Sequence, residues 1–284
     1  MTTVAEALRL AAELLAATSD TARLDAEYLM AHALGVTRSD MLLKHQRDEA
    51  PGGFEPMVSR RLAHEPLAYI AGEQEFFGRS FLVTPDVLIP RADSEQVVAA
   101  ALAVMPDKAA VLDCGTGSGA LLLTLLAECP QACGVGIDAS LAALAVAAAN
   151  AARLGAAGRA RIVHADWHQP GWADDLGPFD LVIANPPYVE ADAPLDPSVR
   201  NFEPAQALFA GKDGLDDYRA LIPQLSILLL PGGVAVLEIG ATQAEAVAAI
   251  AAGCGAESEL KRDLAGRPRA MILRWGVGKG RIRG

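Results

Sequence analysis

The sequence predicts an α/β protein in which a mostly parallel sheet has helices on both faces. A small all-helical N-terminal domain and a β-hairpin linker precede it. Three observations predict this fold class. From residue 94 onward, apolar strand-like runs alternate with helical patterns, which is the rhythm of βαβ units. Before residue 65 the apolar residues follow helical spacing instead, and short apolar runs around glycines lie between the two parts.

Composition limits the class of protein. The chain has 284 residues, a formal net charge of −11 at pH 7, 52% hydrophobic residues and 21% charged residues. That much apolar surface supports folded cores and excludes disorder of the whole chain. The acidic balance argues against direct nucleic-acid binding, which draws its affinity from Lys and Arg clusters. The apolar runs are far shorter than the ~20 residues of a membrane-spanning helix, and the amino terminus does not resemble a secretory signal, so we expect a cytoplasmic protein without membrane contact.

The four cysteines form no C-x-x-C pair and have no histidine at ligand spacing. We therefore expect no metal site and no disulfide framework.

Residues 1–70 are predicted to form the helical domain. The apolar stripe of its first helix consists of Val4, Leu8, Ala11 and Leu15. The second predicted helix carries Leu24, Tyr28, Leu29 and Ala33. Asp20 is expected to cap this second helix at its start, and Gly35 is expected to end it, because glycine readily adopts the left-handed conformation of a helix C-terminus.

Residues 71–90 are predicted to form the hairpin linker, and residues 91–284 the α/β domain. The short strands expected around the linker are Tyr69–Gly72, Glu75–Gly78 and Phe81–Val83. The strands expected in the α/β domain are Ala109–Asp113, Gly134–Asp138, Ile162–His164, Leu181–Ala184, Val234–Ile239 and Ala270–Trp275.

A glycine-rich loop, Cys114–Gly119, follows the first predicted strand of the α/β domain and precedes a helix that begins at Ala120. Glycines let the chain turn tightly at the end of a strand and bring backbone N–H groups close to a ligand. The same kind of turn also serves simple packing of a strand against a helix. On the loop alone, both interpretations remain open.

Asp138 ends the next predicted strand, 25 residues after Asp113. A carboxylate at this position can accept hydrogen bonds from both hydroxyls of a ribose, although capping the next helix near Ser140 is an alternative role. No Lys follows Gly119, which excludes a G-x-x-x-x-G-K-[ST] phosphate loop, and a G-x-G-x-x-G dinucleotide fingerprint is absent. The pattern favours a nucleoside cofactor without phosphates.

A second candidate segment, Asn185-Pro186-Pro187-Tyr188, follows an apolar strand at the end where open α/β sheets bind ligands. The two prolines fix φ and withhold N–H donors, so the segment offers carbonyl acceptors in a rigid frame. Asn185 adds a side-chain acceptor, and Tyr188 adds a flat surface. Such a frame suits a planar NH₂ group whose nitrogen faces an electrophile. The alternative is a proline-stiffened turn with a buried tyrosine.

Both segments resemble motifs of known enzymes. The loop 113–119 is similar to motif I of the class I S-adenosylmethionine-dependent methyltransferases, which implies a Rossmann-like domain. Asn185–Tyr188 is similar to motif IV of those methyltransferases that act on exocyclic or amide nitrogens. That group includes adenine, guanine and glutamine enzymes, and the motif does not choose among them.

Further segments along the whole chain resemble the PrmC/HemK family, the glutamine methyltransferases of peptide-chain release factors. The similar segments are Glu65–Gly72, Glu75–Gly78, Leu88–Glu95, Asp166–Trp167, Phe202–Pro204, Ala207–Gly211, Asp213–Leu215 and Asp263–Arg269. This chain departs from the family at Ala92 and Ser94, where Pro and Thr are usual. Ser94 is still expected to serve as a helix N-cap.

The resemblance implies S-adenosyl-L-methionine as cofactor, S-adenosyl-L-homocysteine as product and class 1 peptide-chain release factors as protein substrates. The methyl acceptor would be the N5 amide nitrogen of the glutamine in the Gly-Gly-Gln motif. The implied cofactor-binding residues are Gly115, Thr116, Gly117, Ser118, Gly119, Asp138 for the ribose, Asp166 and Trp167 beside the adenine, and Asn185. The implied catalytic residues are Asn185, Pro186, Pro187 and Tyr188.

Two alternative functions remain. A methyltransferase acting on an exocyclic amine of DNA or RNA would share the Asn185–Tyr188 motif, but the charge of −11 disfavours it. A non-catalytic regulator that binds the cofactor is less favoured, because Asn185–Tyr188, which we call the reactive segment, is intact. We expect the protein to be a monomer.

Overall fold

The computed structural model describes residues 2–276, which fall into two compact units. One unit runs up to Glu73 and includes Leu195–Phe202. The other comprises Gln74–Pro194 and the residues from Glu203 onward. No helix in the described residues is long and apolar enough to span a membrane.

The secondary structure follows the expected order of helices, hairpin and α/β domain. The helices are α1 Val4–Leu15, α2 Ala22–Leu34, α3 Arg38–Lys44, α4 Phe54–Leu62, α5 Leu67–Ala71, α6 Glu95–Leu102, α7 Ala120–Glu128, α8 Leu141–Arg153, α9 Pro197–Phe202, α10 Asp216–Leu228 and α11 Ala244–Gly253. The strands are β1 Glu73–Phe76, β2 Arg79–Leu82, β3 Ala110–Cys114, β4 Cys133–Asp138, β5 Ala160–His164, β6 Phe179–Ala184, β7 Leu229–Glu238, β8 Ala256–Arg262 and β9 Pro268–Trp275. Short 3₁₀ helices span Ala92–Ser94 and Ala205–Ala207.

The helical unit has a core of its own, and the predicted stripe of α1 lies in it. The buried residues of α1 are Val4, Leu8, Ala11 and Leu15, which confirms the prediction. A capping box starts the helix, because the Thr3 hydroxyl accepts the Glu6 N–H and the Glu6 carboxylate accepts the Thr3 N–H. Gly35 ends α2 with a φ of 67°, also as predicted.

Leu24, Tyr28, Leu29 and Ala33 lie in α2 as predicted, but the predicted cap is wrong. Its N-cap position is Thr21 rather than Asp20. Its buried hydrophobic residues are Ala26, Leu29, Met30 and Ala31. Leu24 and Tyr28 are exposed, at 38% and 53%. Helical spacing permits more than one apolar stripe on this helix, and its packing against neighbouring helices decides which one is buried.

The hairpin linker is present as a two-stranded sheet of β1 and β2. Its two-residue turn consists of Phe77 and Gly78, which have φ values of 51° and 70°. Positive φ at both positions is typical of the tight turns that match strand twist in a hairpin. The strand predicted at Tyr69–Gly72 is wrong, since Tyr69 to Ala71 lie in the single-turn helix α5. A run of five residues is too short for its periodicity to separate a strand from a helix.

A seven-stranded sheet forms the centre of the second unit, in the order β5-β4-β3-β6-β7-β9-β8. The first five strands are parallel, and β9 is antiparallel to both of its neighbours. Helices cover both faces, because alternate strand residues contribute to two separate cores. One core includes residues of α6 and α7, and the other includes residues of α10 and α11. The predicted mostly parallel α/β sheet is therefore confirmed.

The edge strand β8 was not among the predicted strands. Its sequence, Ala-Glu-Ser-Glu-Leu-Lys-Arg, is largely exposed and offers almost no apolar signal. Charged residues are common on edge strands because they oppose pairing with another chain.

Candidate functional site

The carboxyl ends of four neighbouring parallel strands, β3 to β6, open onto a cavity of about 410 Å³. The predicted site residues that line it are Gly115, Thr116, Gly117, Ser118, Asp138, Asp166, Trp167, Asn185 and Pro187. The other three predicted residues, Gly119, Pro186 and Tyr188, are not among the described residues that line the cavity. Segments up to 72 residues apart in the chain thus share one concave site.

The glycine loop turns sharply between β3 and α7. Gly115, Gly117 and Gly119 have φ values of 76°, 54° and 83°, a region that favours glycine. The N–H groups of Gly115 and Thr116 both donate to the carbonyl of Ile137, which ties the loop to the end of β4. A Cβ at Gly119 would lie 2.8 Å from Cδ1 of Leu123. Gly119 therefore serves the junction with α7.

Asp138 closes one side of the loop. Its Oδ2 atom accepts the Gly117 N–H at 2.9 Å, and its Oδ1 atom accepts the Ser140 N–H at 2.8 Å. Burial raises the pKa of Asp138 above its ordinary value. The N-cap of α8 is Ser140, whose hydroxyl accepts the Ala143 N–H. The carboxylate of Asp138 thus lines the cavity and fixes the loop, while Ser140 caps the helix.

A second carboxyl group, Asp113, lies fully buried at the end of β3. The Thr116 hydroxyl donates to it at 2.7 Å. Burial raises the pKa of Asp113 to about 7, and the negative charge of Asp138 adds to this effect. Asp113 therefore supports the loop from below.

Trp167 packs against the glycine loop. A Cβ at Gly115 would lie 3.2 Å from Cη2 of Trp167, so a larger residue at position 115 would displace the indole ring. The Trp167 indole N–H donates to Asp217 at 3.1 Å, and Nε2 of His168 lies 2.9 Å from the same carboxylate oxygen. His168 and Asp217 also line the cavity, and neither stood out in the sequence.

The Asn185–Tyr188 segment leaves the sheet level with the glycine loop, because Ala184 pairs with Cys114 in the register of β6 and β3. Asn185 and Pro187 face the cavity. The Tyr188 hydroxyl instead points to Glu238, with the two oxygens 3.4 Å apart. The Tyr188 carbonyl accepts the Gln243 side-chain amide at 3.0 Å. Tyr188 therefore anchors the end of the segment.

Several residues of the site were missed by the sequence reasoning. Glu238 lies at the end of β7, where burial raises its pKa to about 7. Its position is the signal that could have identified it, since it is a carboxylate at the carboxyl end of an apolar strand. Ser94 occupies the N-cap position of α6, but its hydroxyl donates to Glu238 at 2.5 Å and makes no cap hydrogen bond.

Glu203 lies buried beside the start of the α/β domain. Its carboxylate is 5% exposed, accepts the Ile89 N–H at 3.3 Å and pairs with Arg91. This pairing locks residues 89–91 to the loop that follows the reactive segment.

Known proteins similar to this chain agree with the geometry. The chain matches the PrmC N-terminal domain over residues 6–72 and the methyltransferase small domain over residues 94–207. It is 45% identical over 278 residues to a release factor glutamine methyltransferase of Cereibacter sphaeroides, covering 95% of this chain and 98% of that protein. A relative of the same name from Bradyrhizobium diazoefficiens is 41% identical over 277 residues and covers 93% and 92%. A solved methyltransferase from Pyrococcus furiosus has the same fold, with a TM-score of 0.53 and 15% identity over 78% of this chain and 98% of that one. The chain therefore belongs to the release factor glutamine methyltransferase family of enzymes.

Proposed function

We propose that this protein transfers a methyl group from S-adenosyl-L-methionine to the N5 amide nitrogen of the glutamine in the Gly-Gly-Gln motif of class 1 release factors. The modification would modulate translation termination. The observation that carries the proposal is that Asn185 and Pro187 face the same cavity as the glycine loop and Asp138. The names of the relatives from Cereibacter sphaeroides and Bradyrhizobium diazoefficiens support the same reaction.

The cavity fits this cofactor. The positive φ of Gly115 and Gly117 leaves backbone, without a Cβ, facing the space that a methionine portion would fill. Asp138 presents the carboxylate that suits two ribose hydroxyls, and Asp166 and Trp167 border the region assigned to the adenine. When bound, S-adenosylmethionine supplies an electrophilic methyl group on a sulfonium.

The task of the reactive segment is orientation, because an amide nitrogen is a poor nucleophile whose lone pair is delocalised into the carbonyl. The Asn185 side-chain carbonyl and the Pro186 backbone carbonyl accept the two N–H bonds of the substrate amide. Orientation of this kind can supply several of the ~7–11 kcal/mol available from positioning. The acceptors also stabilise the positive charge that develops on nitrogen. No base is required in the segment, since the proton can leave after transfer.

The helical domain, residues 1–70, is assigned to gripping the release factor. We further assign the protein to the cytoplasm, as a monomer that contacts neither nucleic acid nor membrane. The acidic net charge of −11 supports a protein substrate over a nucleic acid.

The test is mass spectrometry of a purified class 1 release factor after incubation with the protein and S-adenosylmethionine. We expect one added methyl group on the Gly-Gly-Gln peptide and none on a matched release factor in which that glutamine is alanine. A parallel assay with tritiated cofactor offers DNA and RNA as substrates. Label in nucleic acid and none in release factor would favour the nucleic-acid alternative.

A further inference from the structure

A buried carboxylate lies directly behind the reactive segment. Glu238 is 1% exposed at the end of β7. Its Oε2 atom accepts the Ser94 hydroxyl at 2.5 Å, and its Oε1 atom accepts the Tyr188 hydroxyl at 3.4 Å. One side chain thus connects the start of α6 to the last residue of the Asn185–Tyr188 segment.

The hydrogen bonds to the Glu238 carboxylate come from these two hydroxyls and not from the neighbouring Arg269 or Tyr218. Arg269 of β9 lies nearby, but its guanidinium pairs with Asp93 at 2.5 Å and with Asp263 at 3.3 Å. Tyr218 of α10 donates to the backbone carbonyl of Glu238 at 2.8 Å and not to its carboxylate. The Ser94 and Tyr188 hydroxyls are the donors to this side chain in the described part of the chain.

Removal of this carboxylate from water costs free energy, which its two hydroxyl hydrogen bonds and the positive charge of Arg269 offset in part. A gain in stability is therefore not sufficient to explain a carboxylate at this position. Its contact with Tyr188 joins it to the end of the Asn185–Tyr188 segment, in which Asn185 and Pro187 face the cavity.

We propose that Glu238 is a positioning residue for methyl transfer, which holds Tyr188 by its hydroxyl and thereby fixes the Asn185 and Pro186 acceptors. This inference rests on the proposed function. Ser94 in turn fixes the carboxylate, and the Asp93–Arg269–Asp263 ion pairs hold the surrounding backbone. The segments 91–95 and 263–269, which carry part of the family resemblance, thus acquire a shared role in supporting the reactive segment.

The test compares Glu238→Gln with Tyr188→Phe. The glutamine keeps the size of the side chain but cannot accept both hydroxyls, and the phenylalanine removes only the Tyr188 hydroxyl. We expect each variant to lower kcat for release-factor methylation about tenfold, while the Kd for S-adenosylhomocysteine stays within about twofold. The double variant should be no slower than the slower single variant, because both changes break one contact. Glu257→Gln, an exposed carboxylate on β8, is the matched control and should keep wild-type kcat.

Hydrogen exchange of the peptide that contains Tyr188 and Val189 gives a readout independent of substrate. We expect faster exchange in Glu238→Gln and no change in Glu257→Gln. Full kcat in Tyr188→Phe, or losses that multiply in the double variant, would overturn the inference even if Glu238→Gln failed to fold. If the wild type and the control methylate no release factor, the proposed function has failed. In that case hydrogen exchange of the Tyr188–Val189 peptide still tests whether Glu238 positions Tyr188. Faster exchange in Glu238→Gln would support this role, and unchanged exchange would refute it.

Discussion

The two sides of the cavity are built in different ways. The cofactor side, Gly115–Gly119 with Asp138, is held mostly by backbone N–H groups that bond residues within about two dozen positions, and the Asn150 side chain adds one bond to the Ser118 carbonyl from 32 positions away. The acceptor side, Asn185–Tyr188, is held by side chains 50 and 55 positions away, from Glu238 and Gln243. The cofactor side therefore depends on local backbone conformation. The acceptor side depends on the assembled sheet and the loops around it.

The largest expected effect concerns the acceptor side. Asn185→Ala removes the side-chain carbonyl that we assign to the substrate amide, and it should lower kcat about 10³-fold. The Kd for S-adenosylhomocysteine should change much less, because the cofactor side keeps its own hydrogen bonds. Single-turnover methylation and calorimetric binding measure the two quantities. Gln131→Ala changes an exposed amide just before the amino end of β4, at the opposite end of the strand from the site, and is the control. Normal turnover in Asn185→Ala would contradict the mechanism.

The next effect concerns the cofactor side. Asp138→Ala removes the acceptor for the Gly117 N–H and for the ribose hydroxyls, and it should weaken cofactor binding about a hundredfold. At saturating cofactor, kcat should recover to within a few-fold of wild type, since the acceptor side is intact. Titration calorimetry provides the Kd, and Asp107→Ala at an exposed site serves as the control. A loss of kcat that saturation does not restore would show that the two sides are not separable.

The same contrast explains what could be predicted from sequence. The loop, Asp138 and the strands beneath them follow from local glycine chemistry and apolar runs, and the structure contains them. The Asn185 segment was also found, because two prolines and an amide after an apolar strand form a local pattern.

The supports of the acceptor side could not be predicted in the same way. The contact of Glu238 with Ser94 spans 144 positions, and that of Arg91 with Glu203 spans 112. No local pattern encodes such pairs. For the same reason Ser94 was expected to cap α6, whereas the fold directs its hydroxyl to Glu238.

A smaller effect separates backbone conformation from packing on the cofactor side. Gly119→Ala and Gly155→Ala both place alanine at positive φ, 83° and 68°, which costs about 1 kcal/mol or more. Only at position 119 does the new Cβ collide with a neighbour, Cδ1 of Leu123 at 2.8 Å, because position 155 faces open space. Gly119→Ala should therefore also weaken cofactor binding about tenfold, whereas Gly155→Ala should leave it unchanged. Equal Kd values for the two variants would show that the packing of the loop at position 119 does not contribute to cofactor binding.

The smallest effect tests the buried carboxyl under the loop. The pKa of Asp113 is about 7 in the folded protein and 3.8 in its ordinary state, so between these values the folded protein holds a proton that the unfolded chain has released. The stability that this proton supports is present at low pH and is lost as pH rises through 7. Between pH 6 and pH 8 the free energy of unfolding should fall by about 1 kcal/mol on account of Asp113. Asp113→Asn cannot titrate, so its urea unfolding should lose correspondingly less over this interval, while the exposed control Asp107→Asn should follow wild type. A difference between wild type and Asp113→Asn that stays constant over this interval would contradict the prediction and show that the carboxyl is already ionised in the folded protein at pH 6. The loop would then rest on a buried charge instead of a neutral acid.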